Sequence, residues 1–158
     1  MSFKIFLDTE FTDFIDTQLI SLGMVTDLGR TFYAEVPYLD NACSVFVREA
    51  VIPLLGRISG SQYAFDDLGK NILTWLKTER TDEQEVEICF DYQTDWDLFS
   101  DALQLHMPEW CRPRNVKAEI DEVLRYKFYK ENQLPMHHAL YDALANRFAF
   151  RERKSVDE

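Results

Sequence analysis

The first part of the chain limits the fold most, because it carries three apolar runs before any long helical pattern begins. Residues 3–7, FKIFL, read as a short buried strand that stops at Asp8. Residues 18–26, QLISLGMVT, read as a second strand and 31–37, TFYAEVP, as a third, with DLG at 27–29 turning between them. Three strands joined by short connections predict an antiparallel meander. Helices and strands then alternate. Residues 43–55 predict a helix broken by Pro53. In 62–77 the spacing of Phe65, Leu68, Ile72, Leu73 and Leu76 is helical. VEICF at 86–90 predicts a fourth strand, 95–105 a helix, 115–118 a fifth strand, and 119–130 and 138–152 two further helices. This order predicts a mixed α/β layer fold with helices packed against one sheet.

A chain of 158 residues has room for one domain with a real core and is too short for two comfortable ones. No apolar run reaches a membrane span, and the start, MSFKIFLDTE, lacks the pattern of a signal peptide. Cys43, Cys89 and Cys111 lie far apart; they make no metal spacing, and an odd count argues against a disulfide framework. A reducing cytoplasmic location is the expectation. The net charge of −11 taken alone argues against a polyanion partner. The charge is uneven, however. Residues 1–109 hold 7 basic and 20 acidic side chains, whereas 110–158 hold 10 and 8. The second part is therefore a candidate polyanion-binding side, or simply a solvated basic surface.

Three acidic clusters carry the chemistry. Asp8 and Glu10 lie two apart at the end of the first strand, where the period of two puts both on one face. Such a pair either repels in solvent or shares a hard cation such as Mg²⁺ or Mn²⁺. DYQTDWDLF supplies Asp91, Asp95 and Asp97 just after an apolar strand, as metal ligands or as the acidic first turn of a helix. HHALYD, 137–142, supplies two histidines and Asp142 before a helix whose buried face would be Leu140, Ala143, Leu144 and Phe148. Helical geometry puts His138 on the face of Asp142, four residues on, whereas His137 would lie in the preceding turn and reach over the site.

In these three stretches the chain resembles the DEDD 3′–5′ exonuclease superfamily in its histidine-bearing branch, DEDDh. FLDTEFTD resembles the first motif, with Asp8 and Glu10. DYQTDWDLF resembles the second, where Asp95 stands in the right spacing to Leu98 and Phe99. HHALYDA resembles the third, His-x4-Asp, which selects His137 and Asp142. The second motif often carries Asn or Gly where this chain has Asp91, so the choice between Asp95 and Asp91 stays open. DTEF with LISLGMV, SVFVREAVIPLL and HHALYDA are also similar to the poly(A)-directed RNase AS-type exoribonucleases.

The resemblance implies one exonuclease domain over 1–158 and an RNase H-like five-stranded sheet, with its first three strands antiparallel and parallel additions after them. It implies two divalent metal ions, Mg²⁺ or Mn²⁺, on Asp8, Glu10, Asp95 and Asp142, with His137 as general base. Thr9, Phe11 and His138 are the substrate-side candidates; Phe11 is a platform for the terminal base or ordinary core. The implied substrate is single-stranded RNA, including adenylate-rich 3′ ends, cleaved to nucleoside 5′-monophosphates. Single-stranded DNA and an inactive nucleic-acid-binding module are the alternatives. Relatives of this kind also imply a homodimer. Arg112, Arg114, Lys117, Arg147, Arg151 and Arg153 are the candidates for a backbone track, with ordinary solvated surface as the alternative for each.

Overall fold

The computed structural model describes residues 2–153. A single mixed sheet runs β3-β2-β1-β4-β5. Strands β1 (Phe3–Phe11), β2 (Leu19–Thr26) and β3 (Thr31–Glu35) form the antiparallel meander. Strands β4 (Val86–Phe90) and β5 (Cys111–Asn115) add to it in parallel. Helices α1 (Val45–Ala50), α2 (Phe65–Glu79), α3 (Gln93–Leu103), α4 (Glu122–Asn132) and α5 (Ala139–Ala149) complete the fold. The RNase H-like sheet expected above is therefore present. Among the described residues no helix is long and apolar enough to cross a membrane.

Three boundaries differ from the sequence expectations. Strand β1 does not stop at Asp8 but continues through both acids to Phe11, because β2 pairs with it along that whole length. The fifth strand lies at 111–115 rather than 115–118, hidden by its sequence CRPRN. It is an edge strand, where Pro113 costs no ladder bond and Arg112 is exposed. The helix expected over 43–55 is α1 followed by a separate turn of 3-10 helix at Ile52–Leu54 that carries Pro53.

Alternation along β1 sends Phe3, Ile5 and Leu7 to one face, against Leu68, Ile72 and Leu76 of α2 and Phe99 and Leu103 of α3. Phe6 faces the other side with Val25, Cys89 and Val116, covered by Ala143 and Ala149 of α5. Helix α5 lies very close to the sheet here. A Cβ built on Gly23 would come within 2.5 Å of the Leu140 nitrogen and 2.6 Å of the Ala139 carbonyl. Gly23 pairs with Asp8, so the missing side chain sets the start of α5 directly beside the first acid. In α5 the buried residues are Ala139, Leu140, Asp142, Ala143, Ala145, Asn146 and Ala149. Phe148, expected inside, is 40% exposed.

Candidate active site

The site forms where β4 ends early. Strand β1 pairs with β4 only over Phe3–Phe6, so beyond Phe6 its second edge has no strand beside it. The first turn of α3 fills that gap. Asp95 accepts the Thr9 hydroxyl at 2.6 Å and the Thr9 backbone N–H at 3.2 Å, both on Oδ1. Thr9 thus fastens the third acid to the strand that carries the first two, and its buried side chain faces Asp95 rather than solvent. Across the sheet, α5 presents Asp142. Its Oδ1 accepts the Tyr129 hydroxyl of α4 at 2.5 Å and the His137 N–H at 3.2 Å.

The acids fall into two groups. Oxygens of Asp8, Asp91 and Asp95 lie within 4.8 Å of one another, and so do ligand atoms of Glu10, His137 and Asp142. Burial raises Asp8 well above the usual carboxylate range, with Asp95, Asp142, Glu10 and Asp91 adding to it. Burial, then Asp142, pushes Glu10 up to about 9. Burial likewise pushes Asp95 up to about 8, against the lowering effect of the Thr9 hydrogen bond. Asp142 is raised by burial although Tyr129 and Arg125 oppose it. Buried carboxylates that raise one another's pKa in this way suit a shared cation. The Oδ2 atoms of Asp8 and Asp95 are buried with no hydrogen-bond donor among the described residues, which also fits hard-cation ligands.

Asp91 and Asp95 are both brought to the site, in different states. Asp95 is buried and doubly bonded. Asp91 is half-buried, with Oδ2 3.5 Å from the Arg125 guanidinium. Arg125 and Tyr129, four apart on α4, reach the two acid groups from one helix face, and no sequence motif marks either residue.

The two histidines are separated. His137 stays by the acids with a φ of +69°, outside the helix, its ring edge-to-face with Phe46 at 4.9 Å. His138 is the residue before α5 and turns into the protein. Its ring stacks between Tyr33 at 4.7 Å and Tyr141 at 3.8 Å. Burial, with a contribution from Arg57, pushes its pKa down to about 4, so the ring is neutral. The structure thus places His138 in a packed aromatic stack.

Phe11 packs on the core and also lines a cavity of about 250 Å³ beside Glu10, with Phe14 and Phe46 as its other aromatic walls. The latter two are exposed aromatics that the sequence motifs did not single out. Four of the six basic residues considered for a backbone track make side-chain contacts within the protein. Arg112 pairs with Glu85, and Arg114 with Glu87, Glu119 and Glu152. Arg147 and Arg151 donate to backbone carbonyls. These side chains answer internal acids and carbonyls.

No family model and no curated protein matches the sequence. The fold, in contrast, is shared with solved nucleases. The crystal structure of cell-death related nuclease 4 (CRN-4) matches 93% of this chain with a TM-score of 0.60 at 16% identity. The nuclease domain of 3′hExo, a DEDDh family member, bound to rAMP, matches 92% of this chain and 86% of its own length at a TM-score of 0.52 and 13% identity. A 3′-exonuclease described in 3′-end specific recognition of histone mRNA stem-loop matches 92% at 0.55 and 15% identity. This chain spans 62% of the CRN-4 structure and 61% of that last one.

Proposed function

We propose that this protein is a metal-dependent 3′–5′ exoribonuclease that releases nucleoside 5′-monophosphates from single-stranded RNA, adenylate-rich 3′ ends included. The observation that carries the proposal is the convergence of Asp8, Glu10, Asp95 and Asp142 from β1, α3 and α5, with His137 beside them. The same fold in a DEDDh nuclease domain bound to rAMP supports the RNA reading.

Asp8, Glu10, Asp95 and Asp142 would hold two divalent cations, Mg²⁺ or Mn²⁺, which when bound supply Lewis-acid activation of water and charge neutralisation at the phosphate. The protein's own groups do the rest. Thr9 and Tyr129 hold Asp95 and Asp142 in place. His137 donates its backbone N–H to Asp142 and keeps its ring beside Glu10 and Asp142, placed to accept the proton of the attacking water. The cavity walled by Phe11, Phe14 and Phe46 takes the terminal base by stacking. Incubating the protein with Mn²⁺ and end-labelled RNA or DNA of equal sequence tests the proposal. Stepwise 3′ shortening of RNA, lost in EDTA, is expected. Preference for DNA would move the substrate class, and full activity in chelator or cleavage of circular RNA would refute the mechanism.

A further inference from the structure

A second cavity borders the acids through α4, as the Phe11 pocket borders them through Glu10. It measures about 460 Å³ and runs along one face of α4, lined by Arg125, Tyr126, Tyr129 and Lys130, with Leu134 and Met136 closing its end. These α4 positions recur at helical spacing, so the groove follows the helix. Glu122 also lines it, but its carboxylate faces Arg125 at 3.7 Å. Two features set this groove apart from an ordinary surface furrow. First, Tyr126 and Met136 are 66% and 49% exposed, so apolar surface is left uncovered beside two cations in a protein of net charge −11. Lys130 stands over the Tyr126 ring, its Nζ 6.0 Å from the centroid. Second, the groove shares a wall with the acids. The Tyr129 ring lines it while the Tyr129 hydroxyl bonds Asp142, and Arg125 lines it while facing Asp91.

From this juxtaposition we infer that the α4 groove is a nucleotide subsite for the strand on the 5′ side of the scissile phosphate: Tyr126 and Met136 stack one base, and Lys130 meets its phosphate. The inference rests on the exonuclease reading. The Phe11 cavity borders Glu10 and the groove borders Asp142 through Tyr129, and these two acids lie together, so a strand whose terminal base occupies the first reaches the second by passing its last phosphate over the acids. The exposed ring and flexible thioether offer apolar surface to the face of a base, and every base has such a face, so the subsite grips any base. The Lys130 ammonium, which forms no ion pair among the described residues, supplies the attraction that the acid cluster itself lacks.

Tyr126→Ala, Lys130→Ala and the double variant test this, because both side chains are exposed and their loss leaves the core intact. Binding of a 5′-labelled single-stranded 10-mer is measured by anisotropy in Ca²⁺, alongside steady-state turnover in Mn²⁺ and competitive inhibition by a nucleoside 5′-monophosphate. Tyr126→Ala should weaken the 10-mer by about 5- to 150-fold, the range for losing one stacked base. Lys130→Ala should lower the slope of log affinity against log salt by about 0.7, one single-strand phosphate contact. KM for the 10-mer should rise with little change in kcat, and mononucleotide inhibition should stay put, since that ligand has no 5′ neighbour. Equal 10-mer affinity in the double variant overturns the subsite, and so does an equal loss for the mononucleotide. If the wild type binds the 10-mer through Tyr126 but never shortens it, the exonuclease reading fails and the groove stands. If it binds no single strand at all, both fall.

Discussion

Tyr129→Phe isolates what one hydrogen bond does for the acid site. The Tyr129 hydroxyl donates to the buried Oδ1 of Asp142 at 2.5 Å. Burial, with Asp142 beside it, holds this phenol well above its ordinary pKa, so it remains a donor across the working pH range. A hydrogen bond to a charged group contributes about 1.5–3 kcal/mol, and here it favours the ionised carboxylate, the form that binds a cation. Converted to an equilibrium constant, that range is a factor of about 10–150. Losing a partner that orients a metal ligand typically costs about 10–100-fold in metal affinity, so two separate lines give the same magnitude. The substitution keeps the ring, and Asp142 keeps the His137 N–H on the same oxygen, so the fold should persist. Titration calorimetry with Mn²⁺ should show affinity weaker by at least about tenfold. Turnover should shift to higher Mn²⁺ and recover to within a few-fold at saturation. Unchanged Mn²⁺ affinity would refute the idea that α4 tunes the site through this bond.

Three further outcomes follow from the geometry. His137→Ala should lose most turnover at pH 7 and regain part of it at higher pH, while His138→Ala should keep its turnover but lower stability by roughly 1–3 kcal/mol as a gap opens between Tyr33 and Tyr141, read by thermal denaturation. Gly23→Ala should cost about 1–3 kcal/mol or more and remove most activity, because its Cβ would meet the Ala139–Leu140 backbone and push Asp142 off the site. In EDTA, stability should fall as pH rises from about 4, the unfolded carboxylate value, to about 9: Asp8, Glu10, Asp95 and Asp142 have raised folded pKa values, so the folded state holds more protons than the unfolded one in that window. Asp95→Asn should flatten that slope, and Mn²⁺ should stabilise the wild type most at its alkaline end; a melting temperature that rises with pH in chelator, with the slope unchanged in Asp95→Asn, contradicts the buried-acid picture.

Much of the architecture is legible in the sequence because local pattern and tertiary setting agree. The apolar runs of β2 and β4 are buried on both faces and read as strands without ambiguity. Strand β5 is illegible because an edge strand needs no apolar face, so CRPRN carries neither period nor hydrophobicity. The acids of the motifs are visible, but the groups that orient them are not. Tyr129 and Arg125 sit in a charged helix with no spacing that ties them to residues at 91 and 142. Their roles arise only when α4 packs beside α5. Composition left the basic residues of the last third open between a polyanion-binding side and a solvated surface; two of them, Arg112 and Arg114, form ion pairs along the sheet edge.

The two adjacent histidines show why spacing has to be read through backbone conformation. If the helix began at 137, His138 and Asp142 would share a face at four residues, and His137 would point elsewhere. The helix begins at Ala139, and His138 has extended backbone, φ −117° and ψ 124°. The helical face rule therefore does not apply to its side chain. Its carbonyl accepts the Asp142 N–H at 2.8 Å, the first bond of the helix, which fixes that backbone and leaves the ring to the Tyr33–Tyr141 stack. His137 adopts a left-handed φ, uncommon for a residue with a side chain, and its N–H turns inward to the Asp142 carboxylate. That turn swings the His137 ring to the acids at a spacing of five, a distance that no continuous helix would bring together. The cost of the left-handed residue, of order 1–3 kcal/mol, is offset by the backbone bond to Asp142. A glycine at 137 would relieve the strain and keep that bond while deleting the base. His137→Gly should therefore fold at least as well as His137→Ala and be equally inactive at pH 7. A His137→Gly variant with near wild-type turnover would show that the ring has no part in proton transfer and that the turn alone positions Asp142.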